Sequence, residues 1–328
     1  MRITLKSRML AIVAGVIASG AAMAQTLPTH ASVNFTTGSP TGTWFPVAAT
    51  VAEITNANYQ NHPISVTPSA GGVGNALTVG SGQADIGISY APFLKLAQQG
   101  NNNMYKPSFP KLRAISAMVA NALHIVVSDK MNFGEVIKSK KPINLATGPT
   151  GSTELFTMQE VLAGYGGSVD SVRSGGGRVE LLNTAGRSDG WSNRQFDVVN
   201  FFINPPAAGV IALMAKRPDS RILSIDPAIA KKISDQWGML EVRIPPGTYP
   251  NQNEEVITLG MPYVYFTTAD ADEQLIYNMT KAIAENKTRL TNTQSSFKDW
   301  QPENMPKGLG IELHPGAAKY YRERGWIN

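Results

Sequence analysis

From residue 33 onward the chain alternates short apolar runs rich in β-branched residues with longer stretches whose apolar positions recur at helical spacing. That alternation predicts an α/β sheet architecture. Strands are predicted at 33–37, 64–67, 86–89, 112–118, 123–128, 143–146, 169–173, 198–202 and 221–225. Helices are predicted at 44–56, 74–80, 153–162, 179–185, 207–215, 270–286 and 316–324. A loop rich in Asn, Lys and Pro fills 100–111, and no fixed-period repeat or low-complexity segment is visible.

Three predicted strand-to-helix junctions share one design. They read Gly38-Ser39-Pro40-Thr41-Gly42-Thr43, then Ser69-Ala70-Gly71-Gly72-Val73-Gly74-Asn75, then Gly148-Pro149-Thr150-Gly151-Ser152-Thr153. Ligands of open α/β sheets bind at the carboxyl ends of strands, where free N–H groups and the helix dipole favour an anion. Gly, Ser and Thr also cap helices with no ligand at all; it is the recurrence in both halves of the chain that points to a site. None of the three contains Lys or Arg, which excludes a Walker A loop. A carboxylate held by N–H and hydroxyl donors suits them better.

The length, 328 residues, exceeds what one core ordinarily supports and predicts two lobes. Hydrophobic content of 42% and charged content of 16% exclude a disordered or fibrous chain. Residues 1–24 carry Arg2, Lys6 and Arg8, then an apolar run, then Ala22-Met23-Ala24. This is the layout of a signal peptide cleaved after Ala24. Without it the net charge of +5 falls to +2, too little for a nucleic-acid footprint. No later run is long enough to insert the mature chain into a membrane. The absence of cysteine excludes disulfides, thiolate metal sites, a cysteine nucleophile and lipid attachment. The expected compartment is the periplasm, with full secretion as the alternative.

No catalytic constellation emerges. His30, His62, His124 and His314 are scattered, and His124, in an apolar extended run, reads as a core histidine. Ser152 lies outside a G-x-S-x-G elbow. Glu154, Asp85 and Asp197 lack paired spacing, and the last two sit before strands in similar contexts, as turn residues do. Arg173 and Arg178 flank Ser174-Gly175-Gly176-Gly177, which reads as a solvated turn. Neither a cofactor nor a metal site is expected, and the chain is not expected to be an enzyme.

The three loops, together with Ile244-Pro245-Pro246-Gly247-Thr248-Tyr249-Pro250 and the terminal His314-Pro315-Gly316-Ala317 with Tyr320 and Tyr321, resemble the TAXI group of TRAP transporter solute receptors over nearly the whole mature chain. The resemblance implies a type II periplasmic-binding fold, two α/β lobes joined by crossing hinge strands. Lobe one is expected at 26–121 plus 255–328, and lobe two at 122–254. It also implies a small organic carboxylate as ligand and the membrane permease subunits of a TRAP importer as partners. Receptors of ABC importers, and exported enzymes or sensor-feeding proteins on the same fold, are the alternatives.

The expected ligand-binding residues are Gly38, Ser39, Thr43, Trp44, Gly71, Gly72, Asn75, Tyr90, Gly151, Ser152, Thr153, Phe201 and Asn204. Asn75 is the leading candidate, an amide at a helix start that can donate and accept; a helix cap is its alternative reading. Departures from the family pattern bear on the ligand. Trp44 and Phe45 stand for two tyrosines, Gly72 for a serine whose loss opens space, Tyr90 for an acid and Asn204 for a glycine. The missing acid argues for a non-amino carboxylate over glutamate.

Overall fold

The computed structural model describes residues 27–328. The segment 1–24, expected from sequence to be a cleaved signal peptide, lies outside the described residues. Among the latter, no helix is long and apolar enough to cross a membrane.

Among the described residues ten strands form one sheet: β1 (Val33–Thr36), β2 (Ile64–Thr67), β3 (Ile86–Tyr90), β4 (Leu112–Ser128), β5 (Asn144–Thr147), β6 (Arg178–Leu181), β7 (Val198–Ile203), β8 (Ser220–Ile222), β9 (Leu240–Ile244) and β10 (Val256–Thr268). Their order is β2-β1-β3-β10-β4-β7-β5-β6, with β8 beside β4 and β9 beside β10. The two ends repeat one plan. β2, β1 and β3 are parallel on one side, and β6, β5 and β7 are parallel on the other. Between them β4 and β10 run antiparallel, from Leu112↔Thr268 to Ala122↔Gly260. Beyond Ala122, β4 pairs with β7; up to Gly260, β10 pairs with β9, and from Tyr263 with β3. The chain therefore consists of two α/β lobes joined by two crossing strands.

The same aspartate clamp builds both parallel halves. The Asn34 N–H donates to Asp85 Oδ2 at 2.7 Å, and the Asp85 N–H donates to the Asn34 carbonyl at 3.0 Å. The Asn144 N–H donates to Asp197 Oδ2 at 2.8 Å, and the Asp197 N–H to the Asn144 carbonyl at 2.7 Å. Both aspartates are structural, as their context before a strand predicts.

The order of elements around residue 170 corrects the sequence expectation. Residues Val169–Ser174 are helical, β6 follows, and the next helix is Thr184–Ser192. A capping box decides it: Ser168 Oγ accepts from the Ser171 N–H while Ser171 Oγ accepts from the Ser168 N–H. The runs at 112–118 and 123–128 are one continuous strand, β4, in which Asn121 is paired opposite Met261.

The motifs at 244–250 and 314–321 are anchors of the core. His314 caps the helix Pro315–Glu323, its Nδ1 accepting from the Gly316 N–H at 3.2 Å. A side chain on Gly316 would collide with the Glu273 carbonyl, so only glycine lets this helix lie so close to Glu273–Glu285. Tyr321 donates to the Ile115 carbonyl at 2.7 Å. In the other motif, Tyr249 OH accepts from the Ala207 N–H at 2.9 Å and lies 2.7 Å from His124 Nε2. With one hydrogen accepted, the phenol donates its own proton to Nε2, so His124 carries its proton on Nδ1 and gives it to the Ala122 carbonyl at 3.0 Å. His124 is fully buried and has no charged partner among these hydrogen bonds.

Burial lowers the His124 pKa from 6.5 to about 4. The unfolded chain therefore binds a proton that the folded chain refuses between those values. Stability is full above pH 6.5 and falls as the pH drops towards 4, by up to about 1.4 kcal/mol per pH unit. Urea unfolding at pH 7 and pH 5 should show that loss, and His124→Gln should shrink the difference between the two pH values. An unchanged difference in the variant would remove His124 as its source.

Candidate functional site

The three Gly/Ser/Thr loops open onto one cavity of about 370 Å³ between the halves of the sheet. The β1 half contributes Gly38–Pro40, Gly42, Thr43, Trp44, Pro68–Gly72 and Tyr90 to its wall. The β5 half contributes Pro149, Thr153, Glu154, Asn183, Thr184, Arg187 and Phe201–Ile203, and Asn121 comes from the crossing strand β4. Outside its lining the Gly74 N–H donates to the Gly151 carbonyl at 2.9 Å, so the two halves touch.

Of the residues expected from sequence, Gly38, Ser39, Thr43, Trp44, Gly71, Gly72, Tyr90, Thr153 and Phe201 stand in the wall. Four do not. Ser152 caps the helix Thr153–Gly164, its Oγ accepting from the Leu155 N–H at 3.1 Å. Gly151 accepts from the Gly74 N–H of the other half. Asn204 bonds the Ala120 carbonyl in a separate groove with Pro262 and Trp300.

Asn75, 1% exposed, donates to the Thr37 carbonyl at 2.6 Å and to the Ile88 carbonyl at 2.8 Å. Its Oδ1 meets Thr36 Oγ1 at 3.4 Å. It is not the cap either, because the N-cap position of its helix is Gly71. The amide ties the helix Gly72–Gly80 to β1 and β3.

The space expected at Gly72 is already taken. A Cβ there would lie 3.1 Å from Thr153 Oγ1 and 3.2 Å from the Tyr90 ring. The smallness of position 72 lets a residue of one half approach the aromatic floor of the other. That floor is Trp44 against Tyr90 and Tyr263, with ring centroids 5.3 and 5.5 Å away, and Phe202 edge-on to Tyr90.

The residue that sequence reasoning missed is Arg187. Its side chain is 1% exposed, ion-paired with Glu154 Oε1 at 3.0 Å, bonded to the Leu182 carbonyl at 2.7 Å and 5.1 Å from the Phe201 ring. Burial lowers its pKa and the Glu154 carboxylate opposes that shift. A fourth strand-to-helix junction carries it: β6, then Leu182 and Asn183, whose side chain caps the helix Thr184–Ser192. Its Asn-Thr-x-Gly wording resembles the other three loops, but placing a helix at 179–185 hid the junction.

Several polar atoms around this cavity are buried without a partner: Trp44 Nε1, Thr153 Oγ1, Arg187 Nε and Asn121 Oδ1. Tyr90 OH accepts from Asn121 Nδ2 at 3.1 Å. Burial pushes its pKa well above 10, so the phenol stays protonated and able to donate. Arg187 and Glu154 are the charged residues in the wall. Among the described residues no group of three His, Asp or Glu side chains is placed to hold a metal ion.

A cavity walled by strand ends and helix starts of two α/β lobes, with paired crossing strands behind it, defines the class of two-lobed periplasmic-binding-protein folds. Within it, the chain belongs to the NMT1-like family, which matches residues 35–325. MatC from Rhodopseudomonas palustris, solved with bound malate, is 10% identical with a TM-score of 0.55, covering 90% of this chain and 99% of that one. The periplasmic aliphatic sulphonate binding protein SsuA from Escherichia coli is 12% identical with a TM-score of 0.45, covering 90% and 84%. A TctC solute binding protein from Polaromonas is 14% identical with a TM-score of 0.45, covering 90% and 96%.

Replacing Asn75 by Ala removes both donations to the carbonyls of β1 and β3, a cost of about 1–3 kcal/mol. The urea midpoint should fall while the folded protein keeps its ligand affinity. Weakened binding at an unchanged midpoint would instead put this amide on the ligand.

Proposed function

We propose that this protein is an exported periplasmic receptor that captures a small organic carboxylate in the cavity and delivers it to a TRAP-type membrane importer. The observation that carries the reading is Arg187, a buried guanidinium in a wall otherwise rich in uncommitted neutral donors. An anion entering there meets the arginine, the Trp44 indole N–H, the Thr153 hydroxyl and the Tyr90 phenol, while the backbone N–H groups of the Gly38–Thr43 and Gly71–Gly72 loops add to the set. Trp44, Tyr90 and Phe201 flank its apolar part. The carrier partnership and the periplasmic setting rest on the TAXI-like motifs and the leader-like start of the chain.

Lobe one then comprises 26–121 and the C-terminal part, and lobe two the segment from 122. The changeover in strand pairing at Gly260–Tyr263 favours placing the second crossing inside β10, after the 254/255 boundary read from sequence. Closure by a hinge at these crossings brings Thr153, Glu154 and Arg187 over the first lobe's loops. The chemistry asked of the site is binding alone.

A second reading, an amino-acid ligand, draws on Glu154. Tyr90 stands where related receptors carry an acid, but Glu154 supplies a carboxylate in the same wall, 21% exposed and able to face an ammonium.

A thermal-shift screen of refolded protein against dicarboxylates, keto acids and amino acids tests the proposal. A ligand at 100 times its dissociation constant adds about 2.7 kcal/mol, a rise of about 4 °C for a chain of roughly 300 residues unfolding as one unit. Arg187→Met should abolish the rise. A flat screen, or a variant that responds like the wild type, would sink the carboxylate reading; conversion of the acid on incubation would favour an enzyme.

A further inference from the structure

Asn121 is where the crossing strand, both lobes and the cavity meet. It lies on β4 opposite Met261, is 2% exposed and stands in the cavity wall. Its Nδ2 donates to Tyr90 OH at 3.1 Å, on β3, and to the Phe202 carbonyl at 3.3 Å, on β7. The atom facing a carbonyl oxygen must be the amide nitrogen, so Phe202 fixes which way the amide is turned. That leaves Oδ1, buried and without a partner.

The other unpaired atoms of the wall differ from it in kind. Trp44 Nε1 and Arg187 Nε can only donate, and Thr153 Oγ1 can donate or accept. The oxygens of an acid answer all three. They cannot answer Asn121 Oδ1, an acceptor that would face another acceptor. We infer that the ligand carries, beside its acid group, a hydrogen-bond donor, a hydroxyl or an ammonium, that Asn121 Oδ1 accepts, and that Asn121 is therefore a specificity-determining residue. The inference rests on the carboxylate reading and adds to it what else the ligand must contain. A site with a buried acceptor rejects the analogue lacking the donor far more strongly than an apolar pocket rejects a missing methylene.

The test uses two sets of acids that differ only at one carbon: succinate, malate, aspartate and oxaloacetate, and their one-carbon-longer counterparts glutarate, 2-hydroxyglutarate, glutamate and 2-oxoglutarate. Titration calorimetry on refolded wild-type protein should find, within the better-bound set, the hydroxy or amino member at least about tenfold tighter than the unsubstituted and keto members, a difference of about 1.4 kcal/mol. The hydroxy and amino arms then tell which donor is used. In Asn121→Ala, or in Asn121→Leu where alanine does not fold, that preference should collapse. An amide that only ties β3 to β7 would instead weaken every acid by one factor and leave the ranking intact. Equal binding of substituted and unsubstituted acids by the wild type, or a ranking that survives in the variants, overturns the inference and leaves the carboxylate reading standing. Failure of every acid in both sets overturns both.

Discussion

The structure depends on the antiparallel pairing of β4 with β10. The chain passes from one lobe to the other along β4 and returns along β10, so their shared ladder fixes both lobes in one sheet. Ladder hydrogen bonds hold each strand in register, and buried side chains such as Leu112, Ile115, Val264 and Phe266 oppose a slip of one residue. The irregularity between Pro262 and Val264 falls at the changeover, where a proline without an N–H and a local bulge permit a bend. From this frame the carboxyl ends of β1, β2 and β5 open onto the same cavity, which is why loops more than a hundred residues apart in sequence share a wall.

Charge in that wall is arranged economically. Taking a guanidinium out of water is costly unless it is paired and its N–H groups are met. Glu154 and the Leu182 carbonyl meet part of Arg187, and its Nε is left over. The ion pair keeps the site close to neutral while leaving a directional donor for whatever enters. The aromatic floor surrounds these polar atoms with low-dielectric material, which strengthens each hydrogen bond made inside and penalises each one left unmade.

Much of the fold was legible from periodicity, because β1, β2, β3, β5 and β7 are short apolar runs bounded by turn residues. The aspartate clamps were legible too, since Asp85 and Asp197 precede strands in matching contexts. The segment around Ser168 was not. Its apolar residues are few, and two serines bonding each other's backbone chose helix over strand. That one misplacement moved the following elements and concealed Arg187. Asn75 illustrates the opposite difficulty: an amide beside a glycine loop looks the same in sequence whether it faces a ligand or two carbonyls. The same holds for Tyr249, His314 and Tyr321, which serve packing and capping away from the cavity.

The discontinuity of the first lobe has a consequence for how the chain reaches this state. β5, β6, β7, β8 and the second part of β4 follow one another along the chain, so that sheet can assemble as soon as they have been made. β1, β2 and β3 must wait for β10, and the helix Trp44–Asn56 for its neighbour Glu273–Glu285, both near the end of the sequence. Until then the β10-facing edge of β3 is unpaired and an apolar helix face is uncovered. The lobe that carries Trp44 and Tyr90 is therefore completed after the other, once β10 and the helix Glu273–Glu285 are present.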